Sequence, residues 1–74
     1  MEKVNLENCF VVNVPHNKHG YSIGVCAEGY DEYSVIDLCL ERGFFVDEED
    51  ADYAYAEEMT EYDYEHFKNI MRFA

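Results

Sequence analysis

The sequence predicts an α+β domain with the element order β-β-α-β-α, in which two helices pack on one face of a three-stranded sheet. Two β-like runs flank a turn-rich stretch, two later segments have helical apolar spacing, and a segment between those two alternates at period two. Because the chain has 74 residues, we expect one small acidic domain, residues 1–74, with a core of marginal size.

The runs CFVVNV and YSIGVCA flank the stretch VPHNKHG, and this arrangement is typical of a β-hairpin with a loop longer than two residues. We expect Val14 to lie opposite Tyr21, because that register gathers the large apolar pairs on one face. These pairs are Val14–Tyr21, Val12–Ile23 and Phe10–Val25. The opposite face, which we call the lighter face because its side chains are smaller or polar, then carries the pairs Asn13–Ser22, Val11–Gly24 and Cys9–Cys26.

The segment after the hairpin predicts a first helix, with Asp31 as its N-cap and Gly43 just beyond its end. Its apolar stripe is expected at Val35, Ile36, Cys39 and Leu40. The alternating segment ADYAYAEEM predicts a third strand, from about Asp52 to Met59.

A second helix is predicted after Thr60 as its N-cap, with Asp63 at the third position as a weaker version of the usual Glu/Gln capping box. Its buried stripe is expected at Tyr64, Phe67, Ile70 and Met71. The predicted core of the whole domain comprises Phe10, Val12, Val14, Ile23, Val25, Val35, Ile36, Leu40, Phe67 and Ile70.

The net charge of −12 is the most unusual property of the chain. Nucleic acids and anionic membranes are bound through Lys and Arg, so direct binding to either is not expected, and a basic protein is the natural partner. The N-terminus lacks the apolar run of a signal peptide, which predicts a cytoplasmic protein. The three cysteines are odd in number and widely spaced, so we expect them to be reduced, with Cys9 facing Cys26 across the hairpin.

The segment VDEEDADYAYAEEMTEYDYE holds ten carboxylates and neither Lys nor Arg. One interpretation is a solvated face that keeps the protein soluble. The other is a surface that imitates a nucleic-acid backbone, since alternate strand residues lie ~6.6 Å apart and helix neighbours four residues apart ~6 Å. The second interpretation predicts partner contacts at Asp47, Glu48, Glu49, Asp50, Asp52, Glu57, Glu58, Glu61 and Glu65, with Tyr53, Tyr55 and Tyr62 as aromatic anchors.

The pattern leaves open whether Tyr53 and Tyr55 or Ala54 and Ala56 face the core. If the tyrosines are exposed, they are suited to bind partner arginines, because tyrosine offers apolar area, a hydroxyl group and a ring on which a guanidinium stacks.

Metal sites and catalysis are not expected. An EF-hand loop starting at Asp50 would place Tyr55 where the sixth-position glycine is required. A zinc site formed by Cys9, Cys26, His16 and His19 is excluded by the hairpin, which separates the cysteines from the histidines by ~17 Å. The same separation excludes a Cys–His nucleophile pair, and no other catalytic motif is present. We therefore predict a protein that is not an enzyme and has no cofactor.

Small size, strong acidity, an α+β plan and the segment DYEHF (residues 63–67) together resemble the acidic anti-defence proteins of phages and mobile elements, the anti-CRISPR and antirestriction inhibitors. The resemblance implies a stoichiometric inhibitor in the bacterial host cytoplasm that occupies the nucleic-acid site of a Cas effector or a restriction enzyme. The alternative is an acidic adaptor or antitoxin-like module that binds a basic protein away from any nucleic-acid site. The oligomeric state is left open.

Overall fold

The computed structural model describes residues 6–15 and 20–73, which form an α+β fold. Its elements in chain order are β1 (Cys9–Val14), β2 (Tyr21–Cys26), α1 (Ser34–Glu41), a 3-10 helix (Glu48–Asp52), β3 (Tyr55–Glu58), α2 (Glu61–Phe67) and β4 (Arg72–Phe73). The predicted order β-β-α-β-α is present, with the 3-10 helix and a short fourth strand added. No helix in the described part of the chain is long and apolar enough to cross a membrane.

The sheet has four strands in the order β3-β1-β2-β4, which corrects the prediction of three strands. Strand β1 is antiparallel to both β2 and β3, whereas β4 runs parallel to β2. After α2 the chain returns to the outer edge of β2, where Arg72 pairs with Val25 and Phe73 with Cys26. A two-residue strand carries no alternation that a sequence pattern could reveal.

The predicted hairpin register is confirmed at all six positions from Cys9–Cys26 to Val14–Tyr21. The amide of Ala27 donates to the carbonyl of Asn8, and the carbonyl of Cys9 accepts from Met59 on the β3 side. Cys9 and Cys26 are therefore a pair without mutual backbone hydrogen bonds, the kind in which cross-strand side chains lie closest. A disulfide joins them, so the expectation that both cysteines are reduced is wrong.

The face of the hairpin that carries the large apolar pairs packs against α1. Val35, Leu38 and Cys39 are the buried residues of this helix, at the spacing i, i+3, i+4. The predicted stripe was therefore partly wrong, because Leu40 is 42% exposed and Ile36 is only partly buried. The core on this face comprises Phe10, Val12, Val14, Ile23, Val25, Ala27, Val35, Leu38, Cys39 and Phe45.

Both ends of α1 follow the local chemistry of the sequence. Asp31 Oδ1 accepts hydrogen bonds from the amides of Tyr33 and Ser34, which closes the turn before the regular helix. These bonds, above all the one from Ser34, lower the pKa of Asp31. At the other end Gly43 has φ 72°, and the amide of Phe44 donates to the carbonyl of Cys39, as in a Schellman motif.

Helix α2 packs on the opposite face of the sheet, which corrects the prediction that both helices share one face. Phe67 lies over Gly24, so close that a Cβ at Gly24 would be 2.8 Å from the Phe67 side chain. Cys9, Val11, Met59 and Phe67 form the buried cluster there. Thr60 and Asp63 form the predicted capping box, but the helix ends at Phe67 and Ile70 is 64% exposed, contrary to the predicted core.

We expect Gly24→Ala to destabilise the protein. Alanine normally stabilises an open strand position by about 0.5–1 kcal/mol relative to glycine, whereas overpacking against Phe67 should cost about 1–3 kcal/mol. Chemical denaturation measures the difference, with Ser22→Ala, on the same strand face, as the control. A more stable Gly24→Ala variant would show that α2 does not cover this face.

The disulfide should contribute about 3 kcal/mol to the free energy of unfolding, because it closes a loop with a sequence separation of 17 residues. Urea denaturation with and without reductant measures this contribution. The double variant Cys9→Ser/Cys26→Ser should match the reduced wild type and should not respond to reductant. Equal midpoints for oxidised and reduced wild type would contradict the prediction.

Candidate functional site

Exposed carboxylates follow one edge of the sheet. The 3-10 helix precedes β3 near the hairpin-loop end of β1, and α2 follows β3 near Cys9 at the opposite end. We call this surface the acidic edge. Its exposed members are Asp47, Glu48, Glu49, Asp52, Glu57, Glu58, Glu61 and Glu65.

Few positive charges of the described chain lie near the acidic edge. Lys68 Nζ is 2.8 Å from Glu65 Oε2, and this interaction raises the pKa of Lys68. Arg72 lies over the ring of Phe44, beside β2 at the opposite edge of the sheet, and Arg42 caps the end of α1. Within residues 6–15 and 20–73, Glu65 is the one member of the acidic edge that forms an ion pair with a Lys or Arg side chain.

Asp50 is not part of this exposed surface, although it was predicted to contact a partner. Its side chain is completely buried, and its Oδ2 accepts hydrogen bonds from Tyr21 Oη at 2.5 Å and from the amide of Asp47 at 3.2 Å. Tyr21 Oη also accepts a hydrogen bond from the amide of Val46. Asp50 therefore attaches the acidic segment to β2, and its buried side chain is not at the surface where the predicted contact would need it.

Burial and the hydrogen bond to Asp50 raise the pKa of Tyr21. Both effects favour the neutral phenol, because the phenolate would be less solvated and would lie beside a carboxyl group. The Tyr21 hydroxyl therefore keeps its proton up to a higher pH than a free tyrosine does, and in this protonated form it donates the hydrogen bond to Asp50.

The orientation of β3, which the sequence left open, exposes its tyrosines. Ala54 and Ala56 pack against the core on the α1 side, whereas Tyr53 is 58% and Tyr55 49% exposed. Tyr55 pairs with Asn13, so its side chain lies on the face that α2 partly covers. On α2, Tyr62 is 84% exposed.

A groove of about 420 Å³ lies between α2 and the uncovered part of the sheet, and we call it the α2 groove. Val11, Asn13 and Ser22 form its floor, and Tyr62, His66 and Phe67 form its wall. On the floor, Ser22 Oγ donates to Asn13 Oδ1 at 2.6 Å. The sequence pattern predicts the lighter face of the hairpin but not the groove, because no local pattern places α2 above that face.

Cysteine chemistry gives no indication of a reactive site among the described residues. The disulfide removes Cys9 and Cys26 as zinc ligands, while His16 and His19 lie outside the described residues. Cys39 is buried in the core, and burial raises its pKa to about 11. Since the thiolate is the nucleophilic form, this side chain is protonated near neutral pH and acts as a small apolar group.

No protein-family model, curated protein or solved structure matches this chain.

We expect Tyr21→Phe to lower the free energy of unfolding by about 1–3 kcal/mol, the cost of leaving a buried polar group without one of its hydrogen-bond donors. Tyr33→Phe is the matched control, because Tyr33 is 77% exposed and should change stability by less than about 0.5 kcal/mol. Urea denaturation of both variants at pH 7 tests this prediction. Equal stabilities would contradict the anchoring role of Asp50.

The stability of the wild type should also decrease at alkaline pH. The folded protein holds the Tyr21 proton to a higher pH than the unfolded chain does, so this stabilisation is present below the ordinary pKa of 10.0 and is lost as the pH rises through the raised value. Tyr21→Phe should show a shallower decrease above pH 10. Cys39 contributes with the same sign in both proteins, so it cancels in the comparison.

Proposed function

We propose that this protein is a stoichiometric inhibitor of a bacterial nucleic-acid-binding defence complex, and that its acidic edge imitates a phosphate backbone to block the nucleic-acid site. The observation that carries the proposal is the row of exposed carboxylates along the 3-10 helix, β3 and α2. The inhibitor acts by competition, without turnover and without a cofactor.

The position of the charge along β3 supports this function. Glu57 and Glu58 are consecutive strand residues, so they point to opposite faces, and the carboxylates of the 3-10 helix and α2 continue the negative surface at each end of the strand. A basic groove that surrounds such an edge meets negative groups on both of its walls. Electrostatic steering then makes association fast and strongly dependent on salt.

The cost in stability of clustered like charges supports the same function. Like charges held close together destabilise a compact state, and a chain of 74 residues has little core to offset the cost. Burial of Asp50 inside the segment holds the neighbouring carboxylates in a defined arrangement. A defined arrangement favours recognition over a purely solubilising role, for which order is unnecessary.

The alternative function is an acidic adaptor or antitoxin-like module that binds a basic protein elsewhere than at a nucleic-acid site. The same charge serves both functions, and competition separates them. An inhibitor of the proposed kind and DNA exclude one another on the partner, whereas an adaptor and DNA bind together.

Charge reversal tests the acidic edge directly. The variant Glu48→Lys, Glu49→Lys, Asp52→Lys, Glu57→Lys changes four exposed members of the edge and leaves Asp50 in place. The matched control, Glu28→Lys, Glu32→Lys, Asp37→Lys, Glu41→Lys, reverses four exposed carboxylates outside the edge. Both variants change the net charge of −12 by the same amount.

We expect the edge variant to lose binding to a basic partner recovered from bacterial lysate, and to lose inhibition of that partner's DNA binding, while its circular dichroism spectrum is preserved. The control variant should retain most of both activities. A single reversal should have a small effect, since an exposed ion pair contributes about 0.2–1 kcal/mol. If the folded edge variant inhibits as well as the wild type, the acidic edge is only a solvated face.

A further inference from the structure

The α2 groove has an aromatic and apolar lining beside negative charge. Val11 and Phe67 supply buried apolar surface, and the rings of Tyr62 and His66 stand on the same side. Asp63 also lines the groove, and its Oδ2 accepts a hydrogen bond from the amide of Thr60.

Strand β3 extends the floor of the groove toward the acidic edge. Tyr55 pairs with Asn13 and Glu57 pairs with Val11, so both side chains lie on the α2 face beside the floor. Tyr55 is 49% exposed and Glu57 is exposed, so β3 presents an aromatic ring and a carboxylate on the same sheet face as the groove.

No Lys or Arg side chain of the described residues lines the groove. Lys68 is paired with Glu65, and Arg72 lies over Phe44. The charge at the groove is thus complementary to a cation supplied from outside.

We propose that the α2 groove receives an arginine side chain of the basic partner, with the guanidinium stacked on Tyr62 and the methylene stem on Val11 and Phe67. This inference rests on the proposed function and adds to it the site and residue type of the main anchor. It also gives Tyr62 a defined role beside the carboxylates.

The groove favours arginine over lysine for two physical reasons. The guanidinium is planar and weakly hydrated, so it stacks on aromatic rings at a smaller desolvation cost than a compact ammonium. Its several donors can also bind Asn13 Oδ1 and the carboxylates of Asp63 or Glu57 while the stem covers apolar surface. Ammonium ions, in contrast, are expected to interact along the whole acidic edge without preference.

NMR titration of the isotope-labelled protein with capped hexa-arginine and hexa-lysine peptides tests the proposal. We expect hexa-arginine to bind at least about threefold more tightly and to shift the amide signals of Val11, Asn13, Ser22 and His66. Tyr62→Ala should weaken hexa-arginine binding about fivefold, the loss expected for one cation–π contact. Tyr33→Ala is the matched control because Tyr33 is 77% exposed and lies outside the groove, and it should leave binding unchanged.

Three results would overturn the proposal. The two peptides could bind equally and shift only the signals of residues 47–58, Tyr62→Ala could behave like Tyr33→Ala, or a neutral leucine-rich peptide could fill the groove more tightly than hexa-arginine. No defence complex is present in this titration, so its failure would leave the charge-reversal result standing. Conversely, hexa-arginine could bind in the groove while the charge-reversed edge variant still inhibits as well as the wild type. That result would reject the proposed function but not the arginine site.

Discussion

The antiparallel pairing of β1 with β2 determines which side chains lie on each face of the sheet, and therefore where both helices can pack. Because side chains alternate along each strand, one register gathers the large apolar pairs under α1 and leaves Val11, Gly24 and the Cys9–Cys26 disulfide on the other face. The missing side chain at Gly24 gives Phe67 room to approach the sheet. A slip of one residue would exchange the two faces and remove both helix-packing surfaces together.

The acidic segment combines a buried anchor with exposed charge. Asp50 accepts hydrogen bonds from Tyr21 and from the amide of Asp47. This one carboxyl group is buried and has a structural role, while the neighbouring carboxylates remain exposed. Burial of a carboxyl group is tolerated only with such partners, since desolvation without hydrogen bonds is costly. The Tyr21–Asp50 hydrogen bond thus attaches the start of the acidic segment to strand β2.

Charge and shape meet on the α2 side of β3. The acidic edge carries a row of exposed carboxylates, and the α2 groove is an aromatic recess beside it; in the proposed function the first attracts a basic partner and the second binds it. Long-range charge speeds association, whereas burial of a few well-packed side chains determines most of the affinity. The recess exists because α2 covers the second sheet face incompletely: its seven residues reach Gly24 but leave Asn13 and Ser22 open.

The sequence by itself determined the α+β class, the hairpin register, the glycine that ends α1, the capping box of α2 and the concentration of charge. These properties depend on local rules of alternation, turn chemistry and composition. Only the tertiary structure decided that α2 lies opposite α1, that β4 joins β2, that Asp50 is buried, and that Tyr55 rather than Ala56 is exposed. Each of these depends on a contact between residues far apart in the chain, and local periodicity carries no information about which distant surface an element meets.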